Sequence, residues 1–409
     1  MNDARWLALL CTSRAAFALI FTAYSALLPL LLDAWEMTSA QAGLVQSAWH
    51  VGYLLSLFGA GLLADRIGPR ATFFWMSGGA CAFAAAFTLW ASGFWSGLIL
   101  HFLAGAASGG SYTPVLTIIA RRFGPAQRGT AMGWYLAAAS LGYAASMFAC
   151  SAVALWAGWR AGLGLAAGAT VAGALLGWIA LRSSHDDRTG ALSNQPWQIA
   201  ARRLWRNAPA QLAIWAYSFH CWELLGMWAW LPAFLVAAST NAGEPPSGAL
   251  ATGAGLAGLT HLLAMAGSIA GGVLSDRIGR IRVILMMSCA SLACSFSIGW
   301  LVGSALWLVG LIAVLYNLTA IGDSAVFSTV LTETVPQDHI GLAFSVRSVL
   351  GFGMGAISPW VFGLVLDAAG ATATEQGAWG LAWTSLGIGA FLGPLLTLRL
   401  RERIPKLHT

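Results

Sequence analysis

Several ionisable side chains stand inside long apolar stretches of this 409-residue sequence: Arg14, His50, His101, His220, Glu223, His261, Asp323 and Arg347. A charge in such a setting needs a partner, a wet cavity or a task. His220 and Glu223, three residues apart, share one face of a helix and are expected to act as a pair. A carboxylate so placed can take up and release a proton as its hydration alternates. Asp323, in Ile321-Gly322-Asp323-Ser324, suits the same work, with Arg347 as a candidate structural partner. Arg14 can meet an anionic group or an acid, or snorkel to the nearer surface. His101 can relay protons, since histidine changes charge near neutral pH, or bond a helix carbonyl. His261 and Met265, one turn apart, offer an imidazole and a thioether, a pairing suited to copper(I). Tyr24, Trp49, Tyr53, Tyr112, Tyr217 and Trp222 could line a site for a partly apolar organic solute. The sequence has no HExxH, no G-x-S-x-G and no Gly-rich turn ending in Gly-Lys, which argues against a zinc or serine enzyme and against ATP as the energy source. No cofactor is expected.

The elements that must position these groups follow from composition. Of the residues 58% are apolar and only 9% charged, against about 25% charged in a soluble globular domain. That excludes an ordinary cytosolic protein, a disordered chain and a nucleic-acid binder. The lipid bilayer is the expected partner. Spanning about 30 Å of hydrocarbon takes roughly 20 apolar residues. Twelve stretches qualify: 7–32, 40–64, 72–92, 94–120, 130–156, 160–181, 209–237, 251–275, 281–302, 304–332, 341–366 and 377–398. Continuous apolar runs without two-residue alternation predict helices. The first is too long for a signal peptide. The six cysteines, all within apolar stretches, suggest neither a disulfide framework nor a metal site.

Charge sets the expected orientation. Eighteen of the 21 Lys and Arg residues fall in alternate loops and the two tails, while the opposite loops hold only Arg160. Positive residues mark the cytoplasmic side, so both termini are expected in the cytoplasm, with the chain multi-pass in the cell (inner) membrane. The one long polar segment, 182–208, divides a first half (1–181) from a second (209–409). Within it, 197–207 mix Trp with Arg and suit either a short interfacial helix or a solvated linker.

The halves repeat. Gly61-Leu-Leu-Ala-Asp65-Arg66-Ile67-Gly68-Pro69-Arg70 returns, 211 residues on, as Gly272-Val-Leu-Ser-Asp276-Arg277-Ile278-Gly279-Arg280. Arg128-Gly129-Thr130-Ala131 corresponds to Ile340-Gly341-Leu342-Ala343 at an offset of 212, which also sets Asp323 against Ser111. Two six-helix halves so related make a pseudo-symmetric bundle with a site between them. With twelve predicted helices, a central polar loop and duplicated G-x3-D-R-x-G loops, the chain resembles the major facilitator superfamily over its whole length.

That resemblance implies an all-α membrane protein of twelve transmembrane helices in two pseudo-symmetric six-helix bundles, working by alternating access. It implies that Asp65, Arg66, Arg70, Asp276, Arg277 and Arg280 clasp the cytoplasmic side as a gate. It also places the first, fourth, seventh and tenth helices around a central cavity. Arg14, His101, His220 with Glu223, and Asp323 fall on those four, joined by Tyr24 and Trp222, and form the expected substrate and proton path. Two departures stand out. His101 occupies a place where the family often has Arg. The fifth helix, Gly133 to Gly142, lacks the Gly-Pro of proton-coupled drug antiporters. Proton-coupled symport of a small organic compound by a monomer is the leading expectation. Drug or metabolite efflux is an alternative, as is copper import through His261 and Met265, although the Met-x3-Met of copper-importing members is missing from the seventh helix.

Overall fold

A computed structural model describes residues 2–182, 197–336, 339–370 and 375–403. They are almost wholly helical, with no strand among them. The first half contains α1 (Asp3–Ala34), α2 (Ser39–Ile67), α3 (Pro69–Trp90) and α4 (Phe94–Arg122), then a helical run from Pro125 to Leu181. A straight helix as long as the 52 apolar residues of that run would extend about 78 Å, more than twice the hydrocarbon thickness. The run breaks at Gly158, whose φ of 80° and ψ of 168° are open to glycine. It therefore comprises α5 (125–157) and α6 (159–181). A Cβ added to Gly162 would lie 2.7 Å from the Cys150 carbonyl, so the two arms fold back on each other. A short α7 (Trp197–Arg206) follows, then α8 (Ala208–Asn241), α9 (Pro246–Ile278), α10 (Arg280–Leu301), α11 (Leu306–Thr334), α12 (Ile340–Ala368) and α13 (Gln376–Arg403). Leaving α7 aside, the described residues hold the twelve spans that hydropathy predicts, once the run is divided at Gly158.

Local chemistry explains the boundaries. Asn2 and Asn207 each accept a backbone N–H three residues on, capping α1 and α8. Thr38 and Gln41 form a reciprocal capping box on α2. The duplicated loops turn on twin glycines: Gly68 at φ 94°, ψ 151° and Gly279 at φ 96°, ψ 147°. Left-handed φ favours glycine, so one turn recurs at the sequence offset of the repeat.

Two compact units result: α1–α6 with residues 250–258 of α9, and the remaining helices. In the first, Trp6, Phe17, Phe73, Ile119 and Tyr135 share one core. The Trp6 indole donates to the Ala180 carbonyl at 2.9 Å, and Arg122 lies over that indole while paired with Asp3. In the second, Ile284, Phe327, Val330 and Leu400 form a core, and Leu204 of α7 is buried in another with Ile214, Leu331 and Ala343. The polar residues 183–196 lie outside the described residues.

Within each half, the second and fourth spans cross at glycines. A Cβ at Gly105 of α4 would collide with the Trp49 carbonyl of α2, and one at Gly271 of α9 with the Gly322 carbonyl of α11. Small residues permit this close approach, as membrane helices require. The fourth span of each half then loses regularity at one matching place. In α4 a tight turn covers Gly109–Ser111, and in α11 the helix pauses at Asp323 before resuming at Ser324. These two joints carry the polar groups of interest. Large apolar side chains face outward, led by Trp156 at 92% exposure, as a lipid-facing surface demands.

Candidate functional site

In the first half, α1 brings Arg14 to the α4 joint. Its Nη1 donates to Ser111 Oγ at 3.3 Å, and Ser111 Oγ donates in turn to the Ser108 carbonyl. The guanidinium lies 5.1 Å from the Tyr112 ring centre and 5.9 Å from that of Tyr135, whose hydroxyl donates to the Ser111 carbonyl. Arg14 is only 7% exposed, so it does not snorkel. Its Nε has no acceptor, and it forms no ion pair among the described residues. Beside it opens a pocket walled by Phe21, Trp49, Tyr53 and Tyr143, with Ser108 and Ser111 at one side.

His101 lies apart from that cation. Its Nδ1 meets the Val45 carbonyl at 3.1 Å, and Phe87 stacks on its ring with 4.6 Å between centres. Tyr24 lies 5.0 Å from the same ring and donates its hydroxyl to the Ala42 carbonyl. The pair thus braces α4 and α1 against α2. His50 is buried on α2 beside Gln46, which accepts from Ser25.

In the second half, α8 brings His220 to the α11 joint. His220 Nδ1 lies 3.0 Å from Asp323 Oδ1, within ion-pair range but not aligned for a hydrogen bond. Ser324 Oγ is 2.8 Å from His220 Nε2. With a proton on Nδ1 facing the carboxylate, Nε2 accepts from that hydroxyl. All three groups come from two helices, and both His220 and Asp323 are buried. Glu223 forms no ion pair with His220 among the described residues: its Oε2 accepts from Ser291 of α10 at 3.0 Å, and the carboxylate also interacts with Tyr316 of α11. The expected link between Arg347 and Asp323 is also corrected. Arg347 donates to Ser328 at 2.7 Å and stacks over Tyr217, 4.2 Å from the ring centre. Trp222 leaves the group altogether and lies against α13 at Gly389.

His261 lies 5.2 Å from the Trp228 ring, and Trp228 donates to Asn317, which donates to Thr260. Met265 lies one turn further along α9. No cluster of three His, Cys, Asp or Glu able to hold a metal occurs among the described residues. In the duplicated loops, Asp65, Arg66, Asp276 and Arg277 are exposed. Arg70 lies over Phe74, and Arg280 contacts Asp276 and, at 3.4 Å, Glu333 at the end of α11.

The two polar joints are counterparts. Arg14 lies twelve residues past the Asn2 cap and His220 thirteen past Asn207, and each helix carries an internal proline, Pro29 or Pro232. Each reaches the same break in the fourth span of its half, where Ser111 and Asp323 correspond. Sequence spacing could not single out Ser291, Ser324 or Asn317, although Ser111 was marked by its match to Asp323.

Twelve membrane-spanning helices, built twice on one plan around buried polar joints, define a membrane carrier. The family model of the Major Facilitator Superfamily matches residues 10–359, and the chain belongs to that family. It is 26% identical to a probable sulfoacetate transporter of Cupriavidus necator, with 90% of this chain and 89% of that protein covered. It is 24% identical to the hexuronate transporter of Bacillus subtilis, with 92% and 91% covered. Among solved structures, the nucleoside transporter NupG superposes with a TM-score of 0.80 at 14% identity, covering 97% of this chain and 99% of that one.

Proposed function

We propose that this transporter carries a small organic anion across the inner membrane by alternating access, driven by protons in symport. The observation that carries the reading is Arg14, a buried guanidinium with an unpaired Nε and no acidic partner among the described residues, at the edge of a pocket. A cation so held favours a carboxylate or sulfonate ligand, because charge-assisted bonds in a dry site are strong. The Cupriavidus and Bacillus relatives are named for anions, sulfoacetate and hexuronate. The coupling site is assigned to the second half, with Glu223 and Asp323 as the proton carriers and His220 beside Asp323. Asp65, Arg66, Arg70, Asp276, Arg277 and Arg280 act as the cytoplasmic gate, with both termini on that side and the protein monomeric. His101 and Tyr24 brace the helices that present Arg14.

The test uses purified protein in liposomes with an imposed inward proton gradient. Accumulation of an organic anion that collapses with a protonophore, and is lost in Arg14→Gln, is the expected result. Gradient-driven uptake retained after neutralising both Glu223 and Asp323 would sink the coupling assignment. Uptake undiminished in Arg14→Gln would sink the anion reading.

A further inference from the structure

The pocket beside Arg14 also constrains the rest of the ligand, provided that Arg14 does hold an organic anion. Arg14 is the one charged side chain on its lining. A dianion would leave its second charge without a partner, and buried unpaired charges are strongly disfavoured. The lining contains no Asn, Gln, Asp or Glu. Its two serines already donate elsewhere, Ser108 to the Ala104 carbonyl and Ser111 to that of Ser108. Beyond the serines the lining offers only the Tyr53 and Tyr143 hydroxyls and the Trp49 N–H, so a ligand bearing many hydroxyls would bury several of them with too few partners, which works against binding.

The walls are aromatic. Phe21 meets Trp49 edge-on, 4.6 Å between centres at 76°, and Trp49 stacks on Tyr53, 4.9 Å apart at 15°. Tyr143 lies tilted against Phe21, 5.0 Å between centres. The Trp49 indole N–H is buried without an acceptor, a second unpaired donor in the residues that form the pocket. As it stands, the enclosed space beside Arg14 holds about one water molecule, so a ring enters only as the surrounding side chains part.

We propose that the ligand is a small aromatic monocarboxylate. Its carboxylate bonds Arg14, and its ring lies among Phe21, Trp49, Tyr53 and Tyr143. The single charge, the scarcity of polar partners and the edge-and-face walls all select for a flat ring with one anionic end.

Thermal stability of the full chain in nanodiscs, titrated with four probes, tests this. Benzoate is the aromatic monoanion, cyclohexanecarboxylate its non-planar equivalent, glucuronate a polyhydroxy monoanion, and sulfoacetate a small dianion. Benzoate should bind at least about tenfold tighter than each of the others. Trp49→Leu should cut benzoate affinity about tenfold and that of cyclohexanecarboxylate less than about threefold. If Trp49→Leu does not fold, Phe21→Leu, its edge-on neighbour in the lining, provides the same comparison. Cyclohexanecarboxylate binding as well as benzoate would overturn the aromatic assignment, as would tighter binding of glucuronate or sulfoacetate. In each of those cases the organic-anion reading survives. A folded protein that binds none of the four overturns both readings.

Discussion

Each half of this carrier builds the same joint and fills it with opposite chemistry. In the first half, the opening helix delivers a permanent cation to a serine, and the cation keeps an open donor. In the second, the matching helix delivers a histidine to an aspartate, with Ser324 at the other ring nitrogen. Both fourth spans break at the matching place, by a short turn at Gly109–Ser111 and by a single-residue pause at Asp323, so the largest divergence lies in the side chains. An arginine cannot give up its proton, whereas a histidine–carboxylate pair can exchange one. On the proposed function, the duplicated scaffold separates two tasks that would interfere in one place: a fixed charge for the ligand at one joint, and proton exchange at the other.

The largest expected effect comes from removing the fixed charge. Arg14→Gln should weaken anion binding about 100-fold, as loss of a buried charge-assisted bond does, measured by titration in nanodiscs. Making the first joint resemble the second should be nearly as damaging. Ser111→Asp gives Arg14 an internal partner, and affinity should fall about tenfold or more while the melting temperature holds or rises. Retained affinity there would mean that the ligand does not need Arg14 unpaired.

In the second half, Asp323→Asn keeps the shape of the side chain but removes its charge. Proton-driven accumulation should fall at least about tenfold, with exchange of labelled substrate across the membrane preserved. Loss of both would assign Asp323 to binding instead of coupling. Smaller still is the packing test. Gly271→Ala places a methyl on the Gly322 carbonyl just before the joint and should cost about 1–3 kcal/mol of stability, seen as a lower melting temperature. Arg280→Gln should cost least, about 0–1 kcal/mol, because its partner Asp276 is largely exposed.

Much of this plan is legible in the sequence. Apolar runs give the spans, and the repeated Asp-Arg-x-Gly gives the twin turns at Gly68 and Gly279, because a left-handed turn selects its residue. The burial of polar side chains within those runs marks Arg14, His220, Glu223 and Asp323. Their partners are less legible. Helical spacing pairs His220 with Glu223, but the imidazole turns across to α11 and the carboxylate turns to Ser291 of α10. Helix rotation and the break at Asp323 decide that choice, and both depend on packing between distant segments. Arg347 likewise looks like a counter-ion until Tyr217 and Ser328 are seen to occupy it.

Gly158 has a further consequence, for how the chain reaches the bilayer. The α5 and α6 arms reverse on a single residue and pack together at once. With no residues of slack between them, the two spans are expected to enter lipid together as a hairpin. A bulkier residue at 158 would then reduce the yield of inserted protein before it affected any molecule already assembled.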